Sequence, residues 1–302
     1  MKRSKIVLCL IICLFSCSFL IMGVFAASNF ISLSVNSSLN YVPEEPKNIS
    51  VIASNSSYGT ASGGGEYEIG ETATLTATLS NNCVFYGWQT DEGEIVSSSL
   101  NYSFVVESST SSSYTALFDY YDVATLSYLI TTSGDTASLR IVNIIENFDS
   151  NTYFPSYINQ NGTQYAVTSI NFEGLVIYGI KIFIPSTISN VIHATFYTDE
   201  LVFIEGGNTE TIENLELNPL ENNYEVLIRI PSSVQNIINI TINSDVFCME
   251  FAKNSSINII RDIYGYSTFN TILFNSQVPT ELNNVTFYGN LDAYVPENLI
   301  SE

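Results

Sequence analysis

The chain reads IFIPSTISNVI at residues 182–192 and IRIPSSVQNII at residues 228–238, so the second phrase starts 46 residues after the first. The two agree at Ile182/Ile228, Ile184/Ile230, Pro185/Pro231, Ser186/Ser232, Asn190/Asn236 and Ile192/Ile238, with like-for-like changes at Ile188/Val234 and Val191/Ile237. An interval of 46 is twice 23, and 23 falls inside the about 20–29 residue period of leucine-rich repeats. The spacing therefore predicts an intermediate coil with a strand near 201–212, in ELVFIEGGNTETI, and a further one in FCMEFAKNSSINII. Each coil offers a short strand such as Ile182-Phe183-Ile184, whose apolar face one coil alone cannot bury; stacked coils bury one another's. Proline ends each strand because it has no amide hydrogen to give to the ladder. The Ser-Thr or Ser-Ser pair after it can satisfy backbone groups at the corner. Pro155 and Ser156 echo the phrase 30 residues before its first clear copy, so the repetition starts earlier.

Outward from this repeat, 302 residues with 46% hydrophobic content have room for two cored domains. The N-terminus, MKRSK, is followed by an uncharged, mostly apolar run from Ile6 to Phe25 and then by Val24-Phe25-Ala26, with small residues at the −3 and −1 positions of a signal peptidase site. This reads as a signal peptide over residues 1–26, cleaved after Ala26, and as export. Two other readings stay open: the run is long enough to span a bilayer as an uncleaved anchor, and LFSC ending at Cys17 faintly resembles a lipoprotein cleavage box. Without Lys2, Arg3 and Lys5 the remainder holds six basic against 30 acidic residues, a formal charge of −24. Clustered cations are what bind phosphate backbones and anionic lipid, so nucleic acid is set aside as a partner and the acidity reads as solubility outside the cell. A membrane enters only if the N-terminal segment stays uncleaved.

Residues 27–46, polar and punctuated by Pro43 and Pro46, read as a spacer. A module over residues 47–121 follows. There Ala73, Leu75, Ala77 and Leu79 alternate with threonines, the pattern of a half-buried strand, with further strands expected at Tyr102, Phe104 and Val106 and at 114–118. Gly63, Gly64 and Gly65 lack the following lysine and helix of a phosphate loop and read as a turn. Trp88 reads as core, and the acidic stretch DEGE at 91–94 as a solvated turn, since it lacks the ligand spacing of a calcium loop. After the module, LSYLI and TASLRIV form a hairpin pattern around Ser133, Gly134 and Asp135. Beyond the leader only Cys83 and Cys248 remain, in different expected domains, which disfavours their pairing; with one histidine they also leave no ordinary zinc set.

GTASGGGEYEIGETATLTAT, VFYGW, YSFVV and SYTALF together resemble the divergent internalin-type B repeat of bacterial surface proteins, over about residues 49 to 119. That resemblance implies a small all-β spacer or accessory module without catalytic residues. IPSTI, IPSSV, the opening NGTQYAVTSI and the closing TILFNSQVPTEL and AYVPENLI are similar to the BspA-type leucine-rich repeats of bacterial surface proteins, over roughly 124 to 302. The glycine and alanine-phenylalanine usual after the IPS phrase are degraded here, His193-Ala194-Thr195-Phe196 keeping only part. This second resemblance implies cell-surface adhesion and binding of proteins or cells, with no fixed ligand.

The expected fold is thus mainly β: a small all-β module followed, over residues 122–302, by a leucine-rich-repeat solenoid of stacked short parallel strands. The expected function is non-enzymatic recognition by an exported or surface protein, of a surface protein or glycan. A passive envelope component and, more distantly, a glycan-acting enzyme are the alternatives. No catalytic residue, metal ligand or cofactor is assigned; His193 is expected at a repeat corner in a structural role. Candidate contacts are outward residues of successive coils: Phe183 and Arg229 at equivalent positions, and Leu273 as their counterpart in TILF.

Overall fold

The structure, a computed structural model, describes residues 45–120, 126–144, 149–172, 174–220 and 224–295. The signal-peptide segment and most of the spacer lie outside these residues. Among the described residues every regular element is a strand and none is a helix.

The module is a two-layer β structure. Strand Thr72–Leu79 sits between Gly59–Ser62 and Asn101–Val105, and its Ala73, Leu75, Ala77 and Leu79 are buried as the alternation predicts. They face Trp88, Phe85 and Phe118 of the second layer, where Trp88 is fully buried and its indole N–H donates to Ser99 O at 3.0 Å. The residues after 122 begin with the expected hairpin, Leu126–Ser133 against Thr136–Ile144, turning at Gly134 with φ +61°.

The solenoid then rises in coils of two strands each. One parallel sheet of seven strands stacks Thr152–Tyr153, Lys181–Ile184, Glu200–Phe203, Glu225–Ile230, Val246–Phe251, Phe269–Leu273 and Asn290–Tyr294. The other, of six, stacks Val176–Tyr178, Asn190–Tyr197, Thr211–Asn218, Asn236–Ile242, Ile259–Gly265 and Glu281–Phe287. Ile182 pairs with Leu201 and Leu201 with Ile228, so the two opening phrases lie two coils apart with the expected coil between them. Thr152 pairs with Ile182, which makes the Pro155-Ser156 echo a true earlier corner. Pro185 and Pro231 directly follow the strands they end, and Ile188 and Val234 behind them are core.

The six-stranded sheet departs from simple alternation. Its buried positions run Val191, Ala194, Phe196; Ile212, Leu215, Leu217; Ile237, Ile240, Ile242; and Ile260, Ile263. The step of three is taken across one residue with positive φ in each strand after the first: His193, Asn214, Asn239, Asp262 and Asn284, at φ 51–57°. Neighbouring registers place these five in one row. The left-handed conformation bends each strand around the core, and it admits His, Asn and Asp far more readily than a branched side chain. Two rungs are closed by side chains, Asn239 Nδ2 to Asn214 Oδ1 at 2.7 Å and Asn284 Nδ2 to Asp262 Oδ1 at 2.9 Å. His193 is therefore inside a strand, not at a corner, and its conformation explains its presence. His193→Asn should leave the melting temperature nearly unchanged. Asn239→Val should cost about 1–3 kcal/mol, read by denaturant titration; equal midpoints for the two variants would remove the backbone argument.

The module and the solenoid are joined, not merely adjacent. Strand Cys83–Thr90 of the module pairs antiparallel with Tyr157–Gln160, placing both in one nine-stranded sheet that continues through Thr163–Asn171 and Thr136–Ile144. The change of repeat type near residue 122 is a boundary in sequence, but the described residues on its two sides pack as one compact unit. Val84 of the module lies in the solenoid core, and buried polar contacts cross the junction. Ser98 Oγ accepts from the Ser186 amide at 2.8 Å, the Ser156 amide and hydroxyl donate to Phe85 O at 2.8 and 2.9 Å, and Asn159 Nδ2 donates to Leu79 O at 3.1 Å. The two copies of the phrase thus use their serine differently. Ser186 is capped by the module, whereas the Ser232 amide and hydroxyl are taken by Glu205 of the preceding coil at 2.9 and 2.8 Å.

Candidate functional site

Along the seven-stranded sheet, inward and outward residues alternate, and register turns each outward position into a row. The row through the candidate contacts reads Tyr153, Phe183, Val202, Arg229, Glu250, Leu273, Tyr294. Phe183, Arg229 and Leu273 are thus equivalent, as the repeat implies, and all point away from the solenoid core. They do not share an environment.

Phe183 is only 1% exposed. The module lies over it: Ile95 and Leu117 pack with Phe183, Val202 and Ile204 in a separate small core outside the solenoid. Tyr153 stacks on the Phe183 ring at 5.0 Å and 7°. The expectation of an exposed aromatic contact is corrected here: a residue that faces outward from a single coil is covered by a different part of the chain. Arg229 is the first member of the row beyond the module, its side chain 45% exposed, and Leu273 further along is half-buried.

Where the module ends on this face it leaves a groove of about 470 Å³, lined by Glu94, Val96 and Tyr102 on one side and by Ile204, Arg229, Pro231 and Phe251 on the other. A neighbouring depression of about 390 Å³ holds Lys181, Asp199, Glu200, Glu225 and Cys248. A chain of charges connects them. Glu94 pairs with Lys181 at 2.8 Å, Lys181 with Glu200 at 2.9 Å, Glu200 with Arg229 at 2.5 Å, and Arg229 approaches Glu250 at 3.9 Å. Burial acts to lower the Lys181 ammonium pKa, but hydrogen bonds and charge from Glu94 and Glu200 outweigh it and raise the value. Glu200 is mostly buried and needs both cations, since a carboxylate withdrawn from water is stable only when paired. The DEGE stretch, expected to be a solvated turn, thus supplies Glu94 to the junction.

The thiol in this arrangement is a poor nucleophile. Burial, and then the Glu250 charge, raise the Cys248 thiol pKa against the opposing effect of Arg229, which keeps it protonated at neutral pH and weakens it as a nucleophile. Cys83 and Cys248 are both free. His193 is exposed on the other sheet beside Thr168, Ser169 and Ser189. Among the described residues no group of three or more His, Cys, Asp or Glu side chains could hold a metal ion. Sequence reasoning missed Glu200, the centre of the charge chain. Its signal is weak, because in ELVFIEGG its partners stand 19 residues before it and 29 after.

Residues 49–122 match the family described as the divergent InlB B-repeat domain, which covers the module. Comparison with curated proteins and with solved structures gave no match.

Proposed function

We propose that the chain is a non-enzymatic recognition protein of the cell surface or its exterior, which engages a surface protein or glycan through the outward face of the seven-stranded sheet. The module's family supports the coarser part of this reading, a surface- or adhesion-type protein. The finer part rests on one observation. Beyond the module, the outward row Arg229, Glu250, Leu273 and Tyr294 lies open next to a groove walled by both parts of the chain. Such a surface offers a charged anchor and apolar neighbours on a rigid sheet, at a position fixed by stacking rather than by loops.

Screening the protein against host and bacterial surface ligands, followed by Leu273→Ala and Arg229→Ala in the responding pair, tests this. Each substitution is expected to weaken binding by about 1–2 kcal/mol. Arg229→Ala should in addition lower stability, since it removes one of the two cations on Glu200. Binding unchanged in both variants would move recognition off this face. A hydrolytic activity on a glycan, abolished by one carboxylate substitution, would overturn the non-enzymatic reading, and no ligand at all would leave a passive envelope component.

A further inference from the structure

A second surface lies at the corner where each coil turns from the six-stranded to the seven-stranded sheet. On the last two described coils it carries Tyr264, Tyr266, Phe269 and Tyr288, exposed to 43%, 57%, 65% and 82%. In the coil before them, the positions of Tyr264 and Phe269 are Thr241 and Val246, and Tyr266, one residue past the Ile242–Gly265 pair, stands level with Asn243. At the Tyr266 and Tyr288 position the first two strands of the sheet also carry a stacked tyrosine pair, Tyr178 and Tyr197 at 5.1 Å, and the middle two carry Asn218 and Asn243, so the aromatics recur at this corner without being a requirement of the core. Scattered exposed apolar residues are ordinary in proteins; four large aromatics on one corner form a patch.

The corner is also built to be rigid. Tyr288 and Gly289 amides donate to Gly265 O and Ser267 O at 3.0 Å each, and the Asn290 amide to Thr268 O at 3.2 Å, which ties the two turns together. Phe287 occupies the space a side chain at Gly265 would need, and the backbone at Thr268 does the same for Gly289. Both glycines thus allow close approach of successive turns. Tyr266 and Tyr288 stack above them at 5.5 Å and 22°.

We infer that this corner binds a neutral polysaccharide strand, its sugar rings laid by their C–H faces on the aromatic surface that the Tyr266–Tyr288 stack, Tyr264 and Phe269 leave open, and its hydroxyls met by the tyrosine hydroxyls. Charge selects the class of ligand. Residues 262–302 contain no Lys or Arg, and the preceding Arg261 approaches Asp262 at 3.9 Å, so the corner offers no cluster of cations for a nucleic acid, an anionic lipid or a sulfated glycan. A quaternary ammonium group prefers aromatic faces converging as a box, whereas Tyr266 and Tyr288 are nearly parallel. A protein partner ordinarily covers about 800 Å² around an apolar centre. The patch is a strip two coils deep, about 10 Å at the usual strand spacing, which suits a linear chain better. Pre-formed rings lose little freedom on binding, and each tyrosine combines an apolar ring with a polar tip.

The test is affinity electrophoresis of the full-length chain in gels containing a soluble β-glucan, a galactomannan or hydroxyethylcellulose. The discriminating variant is Tyr266→Asn/Tyr288→Asn, because earlier coils of this same corner carry Asn218 and Asn243 in a hydrogen-bonded pair at 2.9 Å and fold with them. Retardation by at least one polysaccharide is expected. It should fall about tenfold or more in the double Asn variant, survive in Tyr266→Phe/Tyr288→Phe, and persist at about 0.5 M salt. Circular dichroism of the Asn variant should match the parent. Leu273→Ala should not affect it, which separates this surface from the one proposed above. The inference is overturned if none of the three retards the protein, if the double Asn variant is retarded as the parent is, if salt abolishes the effect, or if these aromatics prove to bind only a polypeptide.

Discussion

Residues 122–302 expressed without the module are expected to melt broadly, well below the chain that contains it, and to bind hydrophobic dyes. Removing the module uncovers Phe183, Val202 and Ile204, which it buries with Ile95 and Leu117. At about 1.5–3 kcal/mol for each buried apolar side chain, the three contribute about 5–9 kcal/mol, which is comparable to the whole stability of an ordinary domain. The loss extends beyond apolar area. Strand Tyr157–Gln160 becomes an open edge, and the Ser186 amide and the Ser156 hydroxyl lose Ser98 and Phe85 O as partners. The longer chain, residues 45–302, should unfold in one calorimetric transition, since its sheet and cores run through the junction. A 122–302 fragment with a sharp transition within a few degrees of the longer chain would show that the two parts fold separately. The change of motif near residue 122 by itself implies that outcome, and the packing implies the opposite.

Phe183→Ala should be the most damaging single substitution in the outward row, lowering stability by about 3–5 kcal/mol and the melting temperature by roughly 6–20 °C. Its ring is closed in on both sides, by Tyr153 on its own sheet and by Ile95 from the module, so truncation leaves a cavity that packed strands cannot collapse to fill. Leu273→Ala is the control. It holds the same register position two coils past Arg229 but lies beyond the module's cover, and should change stability by no more than about 1 kcal/mol. If the two variants lose similar amounts, the module does not protect this face in solution. Because Phe183 is internal, any loss of ligand binding in Phe183→Ala must be measured on protein shown to be folded.

Most of the architecture could be read from residues alone. The paired phrases at 182 and 228, with Pro185 and Pro231 closing their strands, gave the coil period and the place of the intermediate strand, because stacked coils repeat the same local chemistry at each corner. The alternation over Thr72–Leu79 and the glycine turn at Gly134 were legible for the same reason: they depend on neighbours within a few residues. The row of left-handed residues at His193, Asn214, Asn239, Asp262 and Asn284 escapes the sequence reading, which expects His193 at a corner, although apolar residues three apart flank each of them. Strict alternation is the wrong template for a bent strand, which hides that row from a period-two reading. What only the tertiary structure decided is which outward residues meet water. Phe183, Arg229 and Leu273 are equivalent by sequence. Yet one is sealed under the module, one joins a buried carboxylate, and one stays partly open. Register fixes which way a side chain points within its own coil. Its cover comes from Ile95, 88 residues earlier in the chain, and no local pattern at Phe183 records that contact.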